Sequence, residues 1–346
     1  MCRYLTAEVM MTKARLQTKV IALVFVSFLV TGYLMVYHSN KLAKICAIIL
    51  CRHQSSGVQL ITESTKINMV DVTKPIVISA DSFRLSNETF QCRTARLVNM
   101  TFPVCLYTAK TDHIVTSLLQ RGIYYEGDEV SRLIRLFRRD RRLQFVDIGA
   151  NVGLYSLPAA RVTQVLAVEP NWRSVYRLAK AVYLGDIASN ITLIHNAVSD
   201  VRATRNMGVH PRNQAFAFLI NSTKCRVTPT NKICNTLPPT RTILLNDLLP
   251  LMRSKKALLK VDVEGHEVNV FTNPTAAQFF DHIEVPVVLM EWNWCKKHAT
   301  DTVQRLINFF YSRGYAAFSL NNHKVEKHYI SWPDNIVFKK SPHIFF

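Results

Sequence analysis

The chain is 346 residues long, 49% apolar, and contains only 10 glycines and 13 prolines. That length and composition exclude a disordered or collagen-like chain and fit one large globular domain or two modest ones. A formal charge of +19 at neutral pH implies a basic surface that would suit an anionic glycan or lipid, but it identifies no chemistry.

Residues 1–19 form a short basic tail. The stretch 20–37 then runs for 18 residues without a charge, a length that can cross a bilayer core. Arg3, Lys13, Arg15 and Lys19 upstream favour a cytoplasmic N-terminus. A cleaved signal peptide is the competing reading. The span is longer than a usual signal core and lacks a small-residue cleavage site, which favours a retained signal anchor. Asn87, Asn99, Asn190 and Asn221 head Asn-x-Ser/Thr triplets, all C-terminal to the span. Cys92 with Cys105, and Cys225 with Cys234, are spaced to pair in an oxidising compartment. A single-pass type II membrane protein with a luminal body is therefore expected, in the Golgi, with the endoplasmic reticulum or cell surface as alternatives.

Residues 38–110 read as a luminal stem and 111–346 as the folded domain. Asp128 to Leu143 has the period of an amphipathic helix, with Val130, Leu133, Ile134 and Phe137 on one face. Arg132, Arg135, Arg139 and Arg142 form a stripe on the other, read as a solvated face. Strands and helices then alternate: strand 145–150, helix 154–162, strand 165–169, helix 172–183 and strand 191–198. The segment 201–241 reads as an insertion containing a hairpin. Alternation resumes with a helical stretch 246–253, strand 257–263, a helix near 267–280, strand 286–291, helix 300–313, and strands 315–320 and 335–340. Such alternation implies an α/β fold with a mainly parallel sheet covered by helices on both faces.

In such sheets, ligands bind outside the carboxyl ends of the strands. The first strand end is FVDIGANVGLYS (Phe145 to Ser156), an acidic residue leading into a glycine turn at a helix start. Glu169, in VLAVEPN, follows about twenty residues later, the spacing at which a carboxylate can reach ribose hydroxyls. The turn is G-x-x-x-G and lacks both a phosphate-gripping lysine and the third glycine of a dinucleotide site. That favours S-adenosylmethionine over a nicotinamide dinucleotide. Further strand ends supply His195 to Ala197, KVDVEGHE (Lys260 to Glu267) and Glu291 in VLMEW.

From about Phe145 to Leu320 the chain resembles the FkbM-type S-adenosylmethionine-dependent methyltransferases. The resemblance rests on VDIGANVGLYS, AVEPN, HNAVSD, ILLNDLL, LLKVDVEGHE and VLMEW in that order. One departure is Asn246-Asp247, where the family usually shows two aspartates. The resemblance implies a Rossmann-like class I methyltransferase sheet and O-methylation of a hydroxyl. By position it implies that Asp147, Gly149, Ala150, Asn151 and Gly153 line the methionine side. It also implies that Glu169 holds the ribose, and that Pro170, Asn171 and Ala197 border the adenine. Asp262, Glu264 and His266 would face the transferred methyl group, with His266 or Asp262 as the base. Together with Glu291 these three could also form a divalent-metal site.

Plainer readings stand beside these. Asp147 can serve as a helix cap, Gly265 as a bend, Glu264 and Glu267 as first-turn acids, His266 as a surface histidine, and Trp292 and Trp294 as core. The leading expectation is a membrane-anchored O-methyltransferase acting on a glycan or glycoconjugate, with no nucleic-acid partner. A tethered scaffold that keeps the fold without catalysis is the alternative from another class.

Overall fold

A computed structural model describes residues 74–79, 90–220, 227–228, 231–232, 235–325 and 328–341. The expected span at 20–37, the basic tail, the Cys225–Cys234 pairing, and the triplets at Asn87 and Asn221 lie outside the described residues. Among the described residues, no helix is long and apolar enough to cross a membrane.

The described chain opens with β1 (Val77–Ile78), a hairpin of β2 (Gln91–Leu97) and β3 (Met100–Leu106), and helices α1 (Val115–Gln120) and α2 (Gly127–Arg139). Next come β4 (Leu143–Ile148), α3 (Ser156–Ala159), β5 (Val165–Val168), α4 (Trp172–Leu184) and β6 (Ile191–Ile194). The insertion holds β7 (Ala197–Val198), β8 (Thr204–His210), β9 (Asn213–Leu219), the short pair β10 (Val227–Thr228) and β11 (Asn231–Lys232), and β12 (Asn235–Ile243). The chain ends with β13 (Lys256–Val261), α5 (Glu267–Thr272), α6 (Ala276–His282), β14 (Glu284–Glu291), α7 (Thr300–Tyr311), β15 (Ala316–Ser319) and β16 (Asn335–Lys339).

The main sheet has the order β1-β6-β5-β4-β13-β14-β16-β15. Strands β6 to β14 run parallel, and β16 lies antiparallel to both of its neighbours. The chain winds outward from β4 through β5 to β6, then crosses back to place β13 on the other side of β4. The switch point, where an open sheet leaves a crevice for a ligand, therefore falls between β4 and β13.

Every residue of β4 (LQFVDI) is buried. Alternate residues of each strand serve two cores, because successive side chains point to opposite faces. Phe145, Ala167, Leu258 and Leu289 face one core with α2 and α4, while Val146, Leu166, Leu259 and Met290 face another with α5, α6 and α7. The apolar face of α2 is buried as expected, with Leu136 added to it, and Arg135, Arg138 and Arg139 are exposed.

Two boundaries differ from the sequence reading. Residues 91–106, assigned to the stem, belong to the folded body. Phe102, Val104, Cys105, Leu106 and Tyr107 are buried in the core that contains α2 and α4, and Cys92 and Cys105 form a disulfide across the hairpin. Pro103 disguises this strand in the sequence, since proline is tolerated only where its missing N–H is not needed, as in a two-stranded ribbon. Likewise 201–241 is more than an appended hairpin. Strands β7, β12, β8 and β9 form a second sheet, and β9 reaches the ligand crevice.

Because Phe102 is 1% exposed, Phe102→Ala should destabilise the domain by about 3–5 kcal/mol in urea unfolding. A loss below about 1 kcal/mol would make the hairpin an appendage rather than core.

Candidate active site

The turn after β4 is built around close backbone approach. Gly149 N and Ala150 N both donate to Val168 O, at 2.9 and 3.0 Å, and Asp262 N donates to Ile148 O at 3.0 Å. Gly149 has φ +90, and a Cβ there would lie 1.7 Å from the carbonyl oxygen of Asp262. Only glycine lets β4 and the loop after β13 meet this closely. Gly153, also at φ +90, admits Leu178 of α4, whose Cδ1 would lie 2.4 Å from an added Cβ. Between them Asn151 adopts a left-handed φ of +51, which asparagine tolerates better than most residues.

That conformation aims the Asn151 N–H at Glu169 Oε2, at 2.8 Å, while the Asn171 N–H donates to Oε1 at 2.7 Å. Glu169 is thus fixed at the crevice floor with one lone-pair site used on each oxygen. Burial pushes its carboxyl up to about 7, although the two backbone N–H groups favour the charged form.

The crevice has an unequal lining. Pro170, Ala197, Val198, Phe218 and Leu219 form its apolar lining, Asp262 and Glu264 its acidic part at the end of β13, and His266 also lines it. Eight of the expected site residues therefore meet there: Gly149, Asn151, Glu169, Pro170, Ala197, Asp262, Glu264 and His266. Four do not line it. Ala150 and Gly153 are turn residues packed inward. Asn171 is the N-cap of α4, accepting from Arg173 N and donating to Tyr107 Oη and Gln214 O, each at 3.2 Å.

Asp147 lies beneath the crevice, 1% exposed, where its Oδ2 accepts from Ser156 Oγ at 2.6 Å. Its neighbour is Lys260, directly opposite in the β4–β13 register. The Lys260 ammonium lies 2.9 Å from Asp262 Oδ2, 3.8 Å from Asp147 Oδ1 and 4.8 Å from the centre of the Tyr155 ring. Burial alone would lower the lysine's pKa, but the Asp262 and Asp147 carboxylates outweigh it and raise the value. Asp147 is therefore the buried counter-charge of Lys260, not a wall of the crevice.

Around Asp262 the carboxylates crowd. Ligand oxygens of Asp262, Glu264 and Glu291 lie within 4.8 Å of one another. Burial, followed by the charge of Asp262, raises Glu264 well above the ordinary range and lifts Glu291 to about 10. Glu291 therefore keeps its proton near neutrality unless a cation enters the group. Oε2 of Glu264 also accepts from Trp294 Nε1 at 3.1 Å. Trp292, by contrast, is fully buried against Trp332 and Phe338.

His266 is held differently from the sequence expectation. Its Nε2 lies 2.8 Å from Ser199 Oγ, which donates to Asp200 Oδ1 at 2.9 Å. A hydroxyl has one proton, so the ring nitrogen must donate to Ser199. His266 also lies outside the carboxylate group that could hold a metal.

A further acidic pair is found at Tyr155, whose hydroxyl reaches Glu126 Oε2 at 2.9 Å and Glu129 Oε2 at 2.8 Å. Burial, Glu129 and Asp262 push Glu126 up to about 7. Neither this pair nor Ala215, Ala217 and Phe218 of β9 was singled out by sequence reasoning. The uncharged alternation in β9 (NQAFAFL) was the one local sign of a strand with a buried face.

The model of the methyltransferase FkbM domain matches residues 147–317. That part of the chain belongs to the FkbM methyltransferase family. No curated protein sequence matches the chain. Among solved structures it is similar to the O-methyltransferase TomG from Streptomyces achromogenes in complex with SAM, at 10% identity and a TM-score of 0.36, covering 68% of this chain and 90% of that one. It is also similar to precorrin-6y C5,15-methyltransferase from Geobacter metallireducens GS-15, at 14% identity and a TM-score of 0.31, covering 63% of this chain and 91% of that one. An O-methyltransferase from Bacillus cereus in complex with SAH aligns at 9% identity and a TM-score of 0.35, covering 66% and 90%. The FkbM methyltransferase domain runs from Asp147 to Ala317, so it includes the crevice floor, the acidic end and the β8–β9 roof. The hairpin β2–β3 and strand β16 complete the fold from outside it.

Gly149→Ala must push backbone against backbone, whereas Gly153→Ala meets only movable leucine side chains. Both incur the same left-handed strain of about 1–3 kcal/mol. Gly149→Ala should therefore lower the melting temperature more than Gly153→Ala; the reverse order would contradict this account of the turn.

Proposed function

We propose that the chain is an S-adenosylmethionine-dependent O-methyltransferase acting on a hydroxyl of a glycan or glycoconjugate in the secretory pathway. The observation that carries the cofactor assignment is Glu169, held by two backbone N–H groups between an apolar slot and an acidic end. The slot suits a purine, the carboxylate suits vicinal hydroxyls, and the acidic end suits the ammonium and sulfonium charges. S-Adenosylmethionine, when bound, supplies a methyl group open to in-line displacement.

The protein's own groups then have distinct tasks. Glu169 accepts the ribose hydroxyls. Asp262 has Oδ2 held by Lys260, leaving Oδ1 to orient the acceptor hydroxyl and take its proton. Glu291, protonated near neutrality, donates a hydrogen bond to a neutral polyol. His266, engaged with Ser199, positions the loop rather than acting as the base.

The luminal setting is supported by the Cys92–Cys105 disulfide, which favours an oxidising compartment, and by the sequons. Asn99 is exposed at the hairpin tip and open to glycosylation. Asn190 is half-buried, its amide donating to Ala160 O and accepting from Gln164, so it suits modification poorly.

S-Adenosylmethionine should raise the melting temperature of the purified protein and a nicotinamide dinucleotide should not; stabilisation by the dinucleotide alone would sink the assignment. Cofactor affinity should rise with pH and level off above about 7, as Glu169 ionises. Calorimetry across the neutral range checks this, and Glu169→Ala should bind weakly at every pH. Asp262→Asn should lower kcat by about 10²–10⁴ with cofactor binding retained, and His266→Gln by much less. Equal losses would return His266 to the role of base. Mass spectrometry of cellular glycans with and without the gene tests the acceptor class by a gain of methyl groups.

A further inference from the structure

The opposite edge of the main sheet carries a second concavity. A groove lies at the N-terminal ends of β4, β5, β6 and β13, away from the crevice at their carboxyl ends. Arg141, Arg142, Arg161 and Arg253 line it, brought together from three distant parts of the chain. We propose that this groove binds an anion carrying two or more phosphate or sulfate groups.

Three features distinguish the groove from a solvated basic face. First, the guanidinium groups of Arg141 and Arg253 are positioned without being neutralised, whereas Arg142 is paired with Asp140. Arg141 Nη1 donates to Val162 O at 3.2 Å, and Arg253 Nη1 donates to Gln164 Oε1 and Ser189 O, both at 2.7 Å. All three acceptors are uncharged, so the cations keep their charge and most of their N–H donors. Arg161 has no side-chain hydrogen-bond or ion-pair partner among the described residues. The neighbouring acid, Asp140, is already shared by Arg142 and Lys256, each at 3.0 Å.

Second, the scaffold is preformed. Gln144, 2% exposed, accepts from Arg253 N at 2.8 Å and from Ser254 N at 3.0 Å, which pins the loop that presents Arg253. Like charges gathered on a rigid concave surface repel one another, and a bound polyanion relieves that repulsion. Third, guanidinium forks match the oxygens of phosphate and sulfate, and the lining contains no aromatic ring on which a base could stack.

Calorimetric titration of the full chain in detergent, at physiological ionic strength, tests this with inositol hexakisphosphate and with a heparin octasaccharide. At least one should bind; which one does so separates a phosphate from a sulfate ligand. Arg161→Ala should weaken that binding about tenfold, and Arg141→Ala with Arg253→Ala by more. Affinity for S-adenosylmethionine should not change. The control is Arg135→Ala with Arg138→Ala, which removes as much charge from the exposed face of α2. If neither probe binds, or if the control loses as much affinity as the groove variants, the groove is not a site. Arg161→Ala breaks no hydrogen bond, so an unchanged melting temperature in that variant keeps the result independent of folding.

Discussion

The ammonium of Lys260 is the charge on which the centre of this molecule depends. It is 5% exposed and lies between Asp147, fully enclosed by the sheet, and Asp262 at the crevice mouth. A buried carboxylate without a partner is strongly unfavourable, and so is a buried ammonium. The pair is tolerated because β4 and β13 are adjacent in parallel register, which sets Asp147 and Lys260 side by side on one face. Lys260 in turn fixes Asp262. The same β4–β13 contact requires a glycine at position 149, so the charge network and the tight turn are two results of a single strand pairing.

The distribution of charge follows from the parallel sheet. Carboxylates gather at the carboxyl ends of the strands: Glu169, Asp262, Glu264 and Glu291. Arginines gather at the opposite edge. The basic balance of the whole chain therefore does not describe its crevice. Burial first, and then the charge of Asp262, raises the carboxyl pKa values of Glu264 and Glu291 there.

Motif reading was most successful where the function of a residue is local. The glycine turn, the strand-end acids and the helix caps depend on neighbours a few positions away, and eight of twelve expected site residues line one crevice. It failed where a role depends on partners far away. The family resemblance placed Asp147 on the methionine side, but its partner Lys260 is 113 positions distant and only the register reveals it. The same resemblance placed His266 at the methyl group and its chemistry suited a base, while Ser199 and Asp200 decide which proton its ring carries. Asn171 was placed by the family resemblance beside the adenine, yet the start of α4 turns its side chain away as a cap.

The sequence by itself determined the alternation of strands and helices, the family of the central domain, and the identities of Glu169, Asp262 and Glu264 as crevice acids. These follow from hydrophobic period and short motifs, both written in contiguous residues. Tertiary structure alone decided that the hairpin at 91–106 belongs to the core, that β9 roofs the crevice, and that arginines from separate segments share a groove. Those are matters of which surfaces meet. A chain records its local preferences residue by residue, but the meeting of distant surfaces is set by packing, which no single stretch of sequence contains.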